Sequence, residues 1–510
     1  MAEAPRPAQA GFTPPTRAAF AIAPGPGQWY PCRVHWSLVY LISEWAVRLA
    51  MLFYVPQRRN AAASRTWLLL IFLLPAPGLV LYTLFGRIYL PRRRIAQQRR
   101  ASRMIRASQA QMPTPATGTA TAPHPDLGVE ALRVAAFAER LGDFKAVPGN
   151  HVEFLTDYDG TIDRLITDLD AARQHIHLLY YIYGDDAPGR RVAEALARAA
   201  ARGVTCRVLL DAVGSKAALA RLAPRLTAQG IEVTPLLPVG LFRRNAARFD
   251  LRNHRKLAII DGRIGYTGSQ NLVAPGFVPG YPNEDLTLRL TGPIVAQLQA
   301  VFLADRYFER GGPLDHPGLF APHDPPPGST LAQLVPSGPG YLRMNGQQLF
   351  ITLLYAARHR IVMTTPYFVP DEPFLEALHA ARLRGVEVAL VLSEHANQRL
   401  TQFAQRSYYD DLLSAGVRLH LYQPRFLHAK HLAIDDDFVV IGSSNIDIRS
   451  FALNAEVSLL LYGPGPAAAI RQIQDEYFAH SRLLTLEEWR RRSPVVRTLQ
   501  NIARLADSLL

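Results

Sequence analysis

The sequence has little cysteine and lacks the patterns that bind metals or nucleotides. Only Cys32 and Cys206 occur among 510 residues, without metal-ligand spacing, so neither a disulfide framework nor a zinc site is expected. Both are expected to be ordinary buried thiols. No histidine or carboxylate cluster has metal-ligand spacing, and no glycine-rich loop ends in Gly-Lys-Ser or Gly-Lys-Thr. We therefore expect chemistry without a metal or nucleotide cofactor.

Acidic side chains are outnumbered by basic ones, which leaves a net charge of +14 at pH 7. This excess indicates an anionic partner, either nucleic acid or an anionic membrane surface. Residues 1–30 are rich in proline, alanine and glycine and are expected to be disordered, without the apolar core of a signal peptide. The remaining length is enough for two or three domains.

Two apolar segments, residues 36–55 and 67–85, follow the N-terminal region. Each is near the ~20 residues that a helix needs to cross the hydrocarbon core. We therefore expect an N-terminal transmembrane helical hairpin, a two-helix anchor over residues 36–90. The alternative for the first segment is an amphipathic helix that lies on the membrane surface.

Charged and helix-breaking residues interrupt both segments. Glu44 and Arg48 are four positions apart, so they are expected to pair along one helical face. Pro75, Pro77 and Gly78 are expected to kink the second helix, which membrane helices tolerate.

A run of arginines follows the second segment and comprises Arg87, Arg92, Arg93, Arg94, Arg99, Arg100, Arg103 and Arg106. The positive-inside rule predicts that this flank lies in the cytoplasm, together with the N-terminus if both segments cross. The run is expected to contact anionic lipid; the alternative is a merely solvated basic helix. Residues 91–126 are expected to form this basic segment and a linker, because residues 108–125 are dominated by threonine, alanine and proline.

One polar motif occurs twice with identical spacing. It comprises His254, Lys256, Asp261, Gly268, Ser269 and Asn271 in the first copy, and His428, Lys430, Asp435, Gly442, Ser443 and Asn445 in the second. Histidine can act as a nucleophile or as a general acid and base near neutral pH. Residues two apart on a strand share a face, so each His-x-Lys pair places an imidazole beside an ammonium. Two facing copies would let one histidine attack a phosphodiester while the other protonates the leaving oxygen.

The motif belongs to an internal repeat of roughly 180 residues, in which residues 169–176 match residues 354–361. Helices that end at glycine alternate with apolar strands in both copies. This pattern predicts two α/β/α layered domains with a mainly parallel or mixed sheet and pseudo-twofold symmetry. The expected domains cover residues 127–321 and 330–485, with a proline-rich join. Residues 486–510 are expected to form an amphipathic helix that either rests on the membrane or packs on the core.

Two carboxylates, Asp285 and Glu456, follow the motifs at corresponding positions. Each is expected to orient a catalytic imidazole and stabilise its charged form; the alternative is a strand-end surface acid. Glu284 is the alternative to Asp285, because the register there is uncertain by one residue. A basic cluster before the first motif could guide an anionic head group, although such a run is more often a solvated face; it comprises Arg243, Arg244, Arg248 and Arg252.

The pattern His-x-Lys-x4-Asp-x6-Gly-Ser-x-Asn in both halves resembles the phospholipase D superfamily and, within it, the bacterial cardiolipin synthases. Further matching stretches are residues 290–293, 365–371, 445–451 and 454–456. The resemblance implies two phospholipase D-like domains around one site and a phosphohistidine intermediate. It also implies a multi-pass protein of the bacterial inner membrane with its catalytic region in the cytoplasm.

The resemblance makes the histidine, lysine and aspartate of each copy the catalytic set: His254, Lys256, Asp261, His428, Lys430 and Asp435. His254 is expected to be the nucleophile and His428 the acid and then the base, although the near-symmetry leaves the reverse assignment open. The two aspartates follow an apolar strand at its turn and are expected to hold the loop. The phosphoryl oxygens are expected to be held by the lysines and by Ser269, Asn271, Ser443 and Asn445.

The implied reaction transfers a phosphatidyl group from one phosphatidylglycerol to another and yields cardiolipin and glycerol. A membrane-bound hydrolase that releases phosphatidic acid and a nuclease of the same superfamily would use the same motifs. A nuclease has no need of a membrane anchor, so no nucleic-acid partner is expected. Use of phosphatidylethanolamine as a donor and the oligomeric state are left open.

Overall fold

The structure is a computed structural model and describes residues 36–58, 61–86, 92–111, 128–239, 250–312, 327–341 and 344–505. Several expectations lie outside these residues: the disordered N-terminus, Cys32, most of the linker, most of the proline-rich join, and Arg243, Arg244 and Arg248. The chain divides into two compact units, residues 1–87 and 88–510, and each is described by itself.

The first unit contains α1 (Trp36–Tyr54), α2 (Ala61–Leu73) and α3 (Pro75–Phe85). Within the described residues, α1 is the one helix that is long and apolar enough to cross a membrane. The expected pairing within it is confirmed, because Arg48 Nη1 lies 3.2 Å from Glu44 Oε2. The three helices pack on one another through a small apolar cluster that includes Met51, Ile71 and Tyr82.

The second apolar segment differs from the expected continuous helix. It breaks at Leu74, and Pro75 begins α3 at a position where proline is well tolerated. The rings of Trp67 and Tyr82 have centroids only 5.3 Å apart, whereas fifteen residues of continuous helix would separate them by about 22 Å. The expected kink is therefore confirmed, but it is sharp enough to fold α3 back along α2.

The second unit begins with two helices and the first half of the repeat. The elements are α4 (Arg92–Gln111), α5 (Val129–Gly142), β1 (Val147–Leu155), α6 (Tyr158–Ala171), β2 (His175–Tyr180), α7 (Ala187–Ala201), β3 (Thr205–Asp211), α8 (Lys216–Arg221), α9 (Ala223–Ala228), β4 (Glu232–Leu236), β5 (Lys256–Ile260), β6 (Ile264–Gly268), β7 (Asn283–Glu284), β8 (Thr287–Thr291) and α10 (Ile294–Arg310).

The second half repeats the order of the main elements, includes several additional short elements, and ends with an additional strand and two C-terminal helices. Its elements are β9 (Thr330–Ser337), α11 (Asn345–Ala356), β10 (Arg360–Thr365), β11 (Phe368–Val369), α12 (Glu372–Leu383), β12 (Glu387–Ser393), α13 (Arg399–Ser407), α14 (Tyr409–Ser414), β13 (Arg418–Tyr422), β14 (Phe426–Leu427), β15 (His431–Ile434), β16 (Phe438–Gly442), β17 (Ile446–Asp447), α15 (Ile448–Ala452), β18 (Glu456–Tyr462), α16 (Pro464–Ala479), β19 (Ser481–Leu484), α17 (Leu486–Arg490) and α18 (Pro494–Arg504).

One mixed sheet runs through both halves. Its described part has fifteen strands in the order β19-β13-β12-β10-β15-β16-β18-β9-β1-β8-β6-β5-β2-β3-β4. Read outward from the antiparallel β1–β9 pair, the two halves have the same order except for β19, which is added at the outer edge of the second half; this confirms the expected pseudo-twofold repeat. The strands β2-β3-β4 and β10-β12-β13 are parallel, and the other neighbours are antiparallel.

Helices cover both faces of this sheet, as the alternating pattern predicts. The apolar strands between them are almost fully buried, including the segments that follow the motif lysines. The glycine stops are also confirmed, because Gly203 and Gly385 follow α7 and α12 with φ of +88° and +87°, a conformation that glycine adopts at little cost.

The basic segment after residue 91 forms helix α4, which packs within the second unit. Arg94 in α4 donates two hydrogen bonds to Glu309, at 2.9 and 3.0 Å. Near its other end, Gln109 donates to the Asp143 carbonyl at 2.7 Å. These contacts hold α4 at both ends, so its outward-facing arginines have a defined position.

Candidate active site

The two motifs meet at the interface between the halves of the repeat. His254 and His428 lie immediately before strands β5 and β15, which occupy equivalent positions in the sheet. The backbone amide of His254 donates to the Ala455 carbonyl in the second half at 2.9 Å. The short strands β7 and β14 pair across the same interface, next to His428. One site is therefore built from both halves.

Each histidine contacts a carboxylate from the opposite half. His254 Nδ1 lies 3.0 Å from the Glu456 carboxylate and 3.1 Å from the Ser443 carbonyl. His428 Nδ1 lies 2.7 Å from Asp285 Oδ1. A neutral imidazole whose Nδ1–H is donated in this way keeps a lone pair on Nε2. Both rings are thus oriented to offer Nε2 to a substrate.

Of the two candidates for the first carboxylate, Asp285 and Glu284, it is Asp285 that contacts the imidazole. The Glu284 carboxylate instead pairs with Arg425 at 3.3 Å. Its backbone carbonyl accepts hydrogen bonds from the amides of His428 and Ala429, at 2.7 and 2.9 Å. Glu284 therefore fixes the backbone of the second motif, while its neighbour orients the imidazole.

The two motif serines contact these carboxylates. Ser269 Oγ donates to Asp285 Oδ1 at 2.5 Å, and Ser443 donates to Glu456. Both serines are fully buried. The glycine before each serine allows this close approach, because a Cβ on Gly268 would lie 2.3 Å from the Leu286 carbonyl oxygen.

Each of the two motif asparagines has a side-chain polar atom without a hydrogen-bond partner within the described residues. Asn271 Oδ1 accepts a hydrogen bond from the Ile182 amide at 3.1 Å, and its amide nitrogen has no partner within the described residues. Asn445 Oδ1 is buried without a partner in the same part of the chain. The side-chain N–H groups of both asparagines could donate to a substrate phosphate, whereas the Oδ1 atoms, which are acceptors, could not.

The motif lysines are buried close to the histidines. Lys256 Nζ donates to the His254 carbonyl at 2.5 Å, and Lys430 Nζ to the His428 carbonyl at 2.6 Å. Burial lowers the pKa of Lys256 to about 7, and repulsion from Lys430 adds to the effect of burial. Burial likewise lowers the pKa of Lys430 to about 8. A bound anion would favour the charged form of both ammonium groups.

The pKa values of both imidazoles and both carboxylates are lowered, which favours the neutral form of the imidazoles and the ionised form of the carboxylates. Burial lowers the pKa of His428 to about 4 and also lowers the pKa of His254, against the attraction of their carboxylates. Burial opposes ionisation of Asp285, but His428 and Lys430 lower its pKa to about 2. Without substrate, the site therefore holds neutral imidazoles and ionised carboxylates.

The motif aspartates follow the far ends of the motif strands and contact backbone amides, not the motif histidines. Asp261 accepts hydrogen bonds from three successive amides, of residues 173–175, at 2.7 to 2.9 Å. Asp435 does the same for residues 358–360 at 2.6 to 2.9 Å. Both have positive φ, so each ends its strand at a tight turn. They hold the loop, as their position after the strand predicts.

Two other expectations concern side chains outside the motifs. Arg252 is buried and pairs with Asp211 at 3.2 Å, so it is not a surface guide for a head group. Cys206 is a buried free thiol, as expected, and burial raises its pKa to about 11.

No group of three or more histidine, cysteine, aspartate or glutamate side chains that could hold a metal ion occurs within the described ranges.

Two aromatic side chains that the sequence motifs do not identify lie beside the histidines. The Tyr181 ring lies 4.7 Å from the His254 ring and 5.5 Å from Lys256 Nζ. The Phe277 ring lies 5.4 Å from the His428 ring. The loop that carries Phe277 breaks the symmetry of the repeat, so an unequal spacing in the sequence could have drawn attention to it.

Similarity to known proteins agrees with this arrangement. A family model described as the cardiolipin synthase, PLD-like domain matches residues 165–306 and 350–480. Cardiolipin synthase A of Yersinia pseudotuberculosis serotype IB (strain PB1/+) is 32% identical over 485 residues, which cover 90% of this chain and 95% of that protein. Cardiolipin synthase A of Serratia proteamaculans (strain 568) is 34% identical over 471 residues, with the same coverage.

A solved structure shows the same fold. The phosphatidylserine synthase of Haemophilus influenzae Rd KW20 superposes with a TM-score of 0.57 at 14% identity, and the match covers 74% of this chain and 99% of that one. The family match extends over both halves of the repeat, and the similarity to the curated relatives extends over most of the chain. This chain belongs to the cardiolipin synthase family of PLD-like proteins.

Proposed function

We propose that this protein is a cardiolipin synthase that transfers a phosphatidyl group between two phosphatidylglycerol molecules. The observation that carries the proposal is the reciprocal pairing, in which each half supplies a histidine and the carboxylate for the other half's histidine. This arrangement supplies two oriented imidazoles, as a double displacement at phosphorus requires. Membership of the cardiolipin synthase family supports the choice of substrate.

In the first step, His254 Nε2 attacks phosphorus and the bond from phosphorus to the glycerol oxygen breaks. His428 gives its proton to that oxygen, so glycerol leaves and a phosphatidyl–histidine remains. His428 must be protonated at this point; the negative charge of the bound phosphodiester raises its pKa from the low value of the empty site. Lys256, Lys430 and the two motif asparagines hold the phosphoryl oxygens.

In the second step, the acceptor is a terminal hydroxyl of another phosphatidylglycerol. His428 takes the hydroxyl proton, the new phosphorus–oxygen bond forms, and the bond from phosphorus to His254 breaks. The products are cardiolipin and a neutral His254. Water in place of the lipid hydroxyl would give phosphatidic acid, so the same site would then act as a hydrolase.

We further propose that the protein is embedded in the bacterial inner membrane with its catalytic unit in the cytoplasm. Helix α1 has the length and composition to cross the bilayer. Helix α4 has no acidic residue, and one face of it exposes Arg93, Arg99, Arg100, Arg103 and Arg106. Such a face suits the anionic cytoplasmic surface of a membrane.

The C-terminal helix α18 supports contact with the membrane as well. Its Ala503 side chain is buried in the core, whereas Val495, Leu499 and Ile502 are 68%, 48% and 56% exposed. These three residues lie one and two turns apart on one face, and α18 has arginines but no acid. An amphipathic helix of this kind can rest in the membrane interface while its other face packs on the protein.

Product analysis tests the proposed reaction. The purified full-length protein is placed in liposomes with phosphatidylglycerol labelled in both an acyl chain and the glycerol head group, with a chelator present, beside a His254→Ala control. Cardiolipin and free glycerol, both lost in the control, are expected. Phosphatidic acid as the sole lipid product would indicate a hydrolase, and no lipid turnover would overturn the proposal.

A further inference from the structure

The two catalytic histidines have aromatic neighbours of different origin. Tyr181 directly follows strand β2 and lies against His254. Phe277 lies in the loop formed by residues 273–282 and contacts His428, with the two ring planes at 82° and their centroids 5.4 Å apart. The edge of one ring therefore meets the face of the other. The general acid and base of the proposed reaction has an apolar wall on this side.

The loop that carries Phe277 occurs in one half only. Fourteen positions separate Asn271 from Asp285, but eleven separate Asn445 from Glu456, where the second half has the short helix α15. The repeat is otherwise kept closely in the motifs. The additional loop contacts His428, which must receive the acceptor's proton. The difference between the two halves therefore lies beside the residue that activates the acceptor.

Several hydrogen bonds fix the loop. The Val273 carbonyl accepts from the Tyr158 hydroxyl at 2.7 Å, and the Ala274 amide donates to Asp186 at 2.7 Å. Asn283 closes the other end, because its side-chain oxygen accepts from the Phe277 amide at 3.3 Å. The backbone of residue 277 is therefore held directly, and its ring has a fixed place beside His428.

We infer that Phe277 is a specificity-determining residue that keeps water from His428 and so directs the phosphatidyl group to a lipid hydroxyl. This inference rests on the proposed function. In either outcome the bond from phosphorus to His254 breaks, a phosphorus–oxygen bond forms, and a proton moves to His428. Water differs from the lipid in being small and abundant, so the site must exclude it. An apolar ring beside the base offers water no hydrogen bond.

The test compares product ratios in full-length variants reconstituted in phosphatidylglycerol liposomes. Phe277→Ala removes the ring, and Phe277→Val is a milder change in case the first variant fails to fold. Val278→Ala is the matched control, because Val278 is half-buried in the same loop and pairs with Tyr281 through its backbone. Cardiolipin and phosphatidic acid are quantified from the same reaction, so the ratio does not depend on total turnover.

We expect the ratio of cardiolipin to phosphatidic acid to fall about tenfold in Phe277→Ala, less in Phe277→Val, and not at all in Val278→Ala. A wild-type ratio in whichever Phe277 variants turn over lipid would overturn the inference. So would an equal fall in the control, because the effect would then belong to the loop as a whole. If the wild-type protein makes no cardiolipin, it is the proposed function that fails.

Discussion

At the scale of single residues, Asp285 and Glu456 determine what the two histidines can do. Each carboxylate accepts from its imidazole and from the serine that follows the motif glycine. This arrangement places negative charge beside Nδ1, which stabilises the imidazolium as it forms during proton transfer. We therefore propose that the carboxylates act in catalysis through the histidines.

Replacing either carboxylate with its amide tests this role. Glu456→Gln and Asp285→Asn keep the size of the side chain but remove the charge, so we expect kcat to fall about 10- to 100-fold with little change in KM. Steady-state glycerol release measures both quantities. Glu284→Gln is the matched control, because its carboxylate contacts Arg425 and not an imidazole. Equal losses at Glu284 and Asp285 would contradict the assignment.

The lowered pKa values of the motif lysines predict a pH dependence. Because Lys256 and Lys430 have pKa values of about 7 and 8, their positive charge in the empty site is lost as the pH rises through this range. We expect kcat/KM, which reports the free enzyme, to fall on the alkaline side from about pH 7 to 8. Initial rates at low substrate concentration measure it. A flat profile up to the ordinary pKa of lysine would contradict the result.

Which residues form the site was predictable from the repeat, but their contacts were not. The repeated spacing identifies His254 and His428, because attack on a phosphodiester and protonation of its leaving oxygen need two histidines with nearby donors. It does not show that Ser269 contacts a carboxylate, because that depends on how closely β6 approaches β8. Phe277 was missed for a related reason, since its position follows from a loop without a counterpart in the second half.

At the scale of secondary-structure elements, Asp261 and Asp435 join each motif strand to the helix-to-strand turn beside it. Each accepts three backbone amides that would otherwise lack partners there. The same aspartate thus fixes both the end of its own strand and the start of the neighbouring one. We therefore propose that its role in the motif is structural.

Alanine substitutions separate these two roles. We expect Asp435→Ala to lower the free energy of unfolding by about 2 kcal/mol, because the amides lose a charged acceptor. The midpoint of thermal unfolding in detergent measures the change, while kcat per folded molecule should remain. Asp436→Ala at the same turn is the control, since its exposed pair with Arg471 should contribute little. Loss of kcat at an unchanged midpoint would show a catalytic role instead.

The anchor helices show why the second apolar segment was harder to interpret than the first. Hydropathy and length predict that residues 67–85 form one membrane-spanning helix. They do not predict the break at Leu74, which allows the rings of Trp67 and Tyr82 to contact each other. Helices α2 and α3, with 13 and 11 residues, are about 20 and 17 Å long, well short of the ~30 Å hydrocarbon core. Their lengths favour a single crossing by α1.

Reporter fusions test the number of crossings. With one crossing, a reporter placed before residue 36 lies on the opposite side of the membrane from one placed after residue 505. We expect a periplasm-dependent reporter to be active at the first position and inactive at the second. Activity at neither position would indicate two crossings, as the hydropathy pattern alone predicts.

At the scale of the whole molecule, the continuous sheet makes the two halves one catalytic unit. Strands β1 and β9 pair at the centre, and each histidine depends on a carboxylate about 200 or 140 positions away. The repeat predicts two similar halves, and the family resemblance implies one site between them. It does not reveal the reciprocal pairing, because equal spacing within each half carries no information about contacts between them.

The central claim is that one site, built from both halves, carries the phosphatidyl group on His254. Rapid mixing of the full-length protein with phosphatidylglycerol, an alkaline quench, proteolysis and mass spectrometry measure this directly. We predict an added phosphatidyl group on the peptide that contains His254, formed and lost at rates consistent with turnover. The same mass on the peptide that contains His428 would reverse the assignment, and turnover without any labelled histidine would contradict the account.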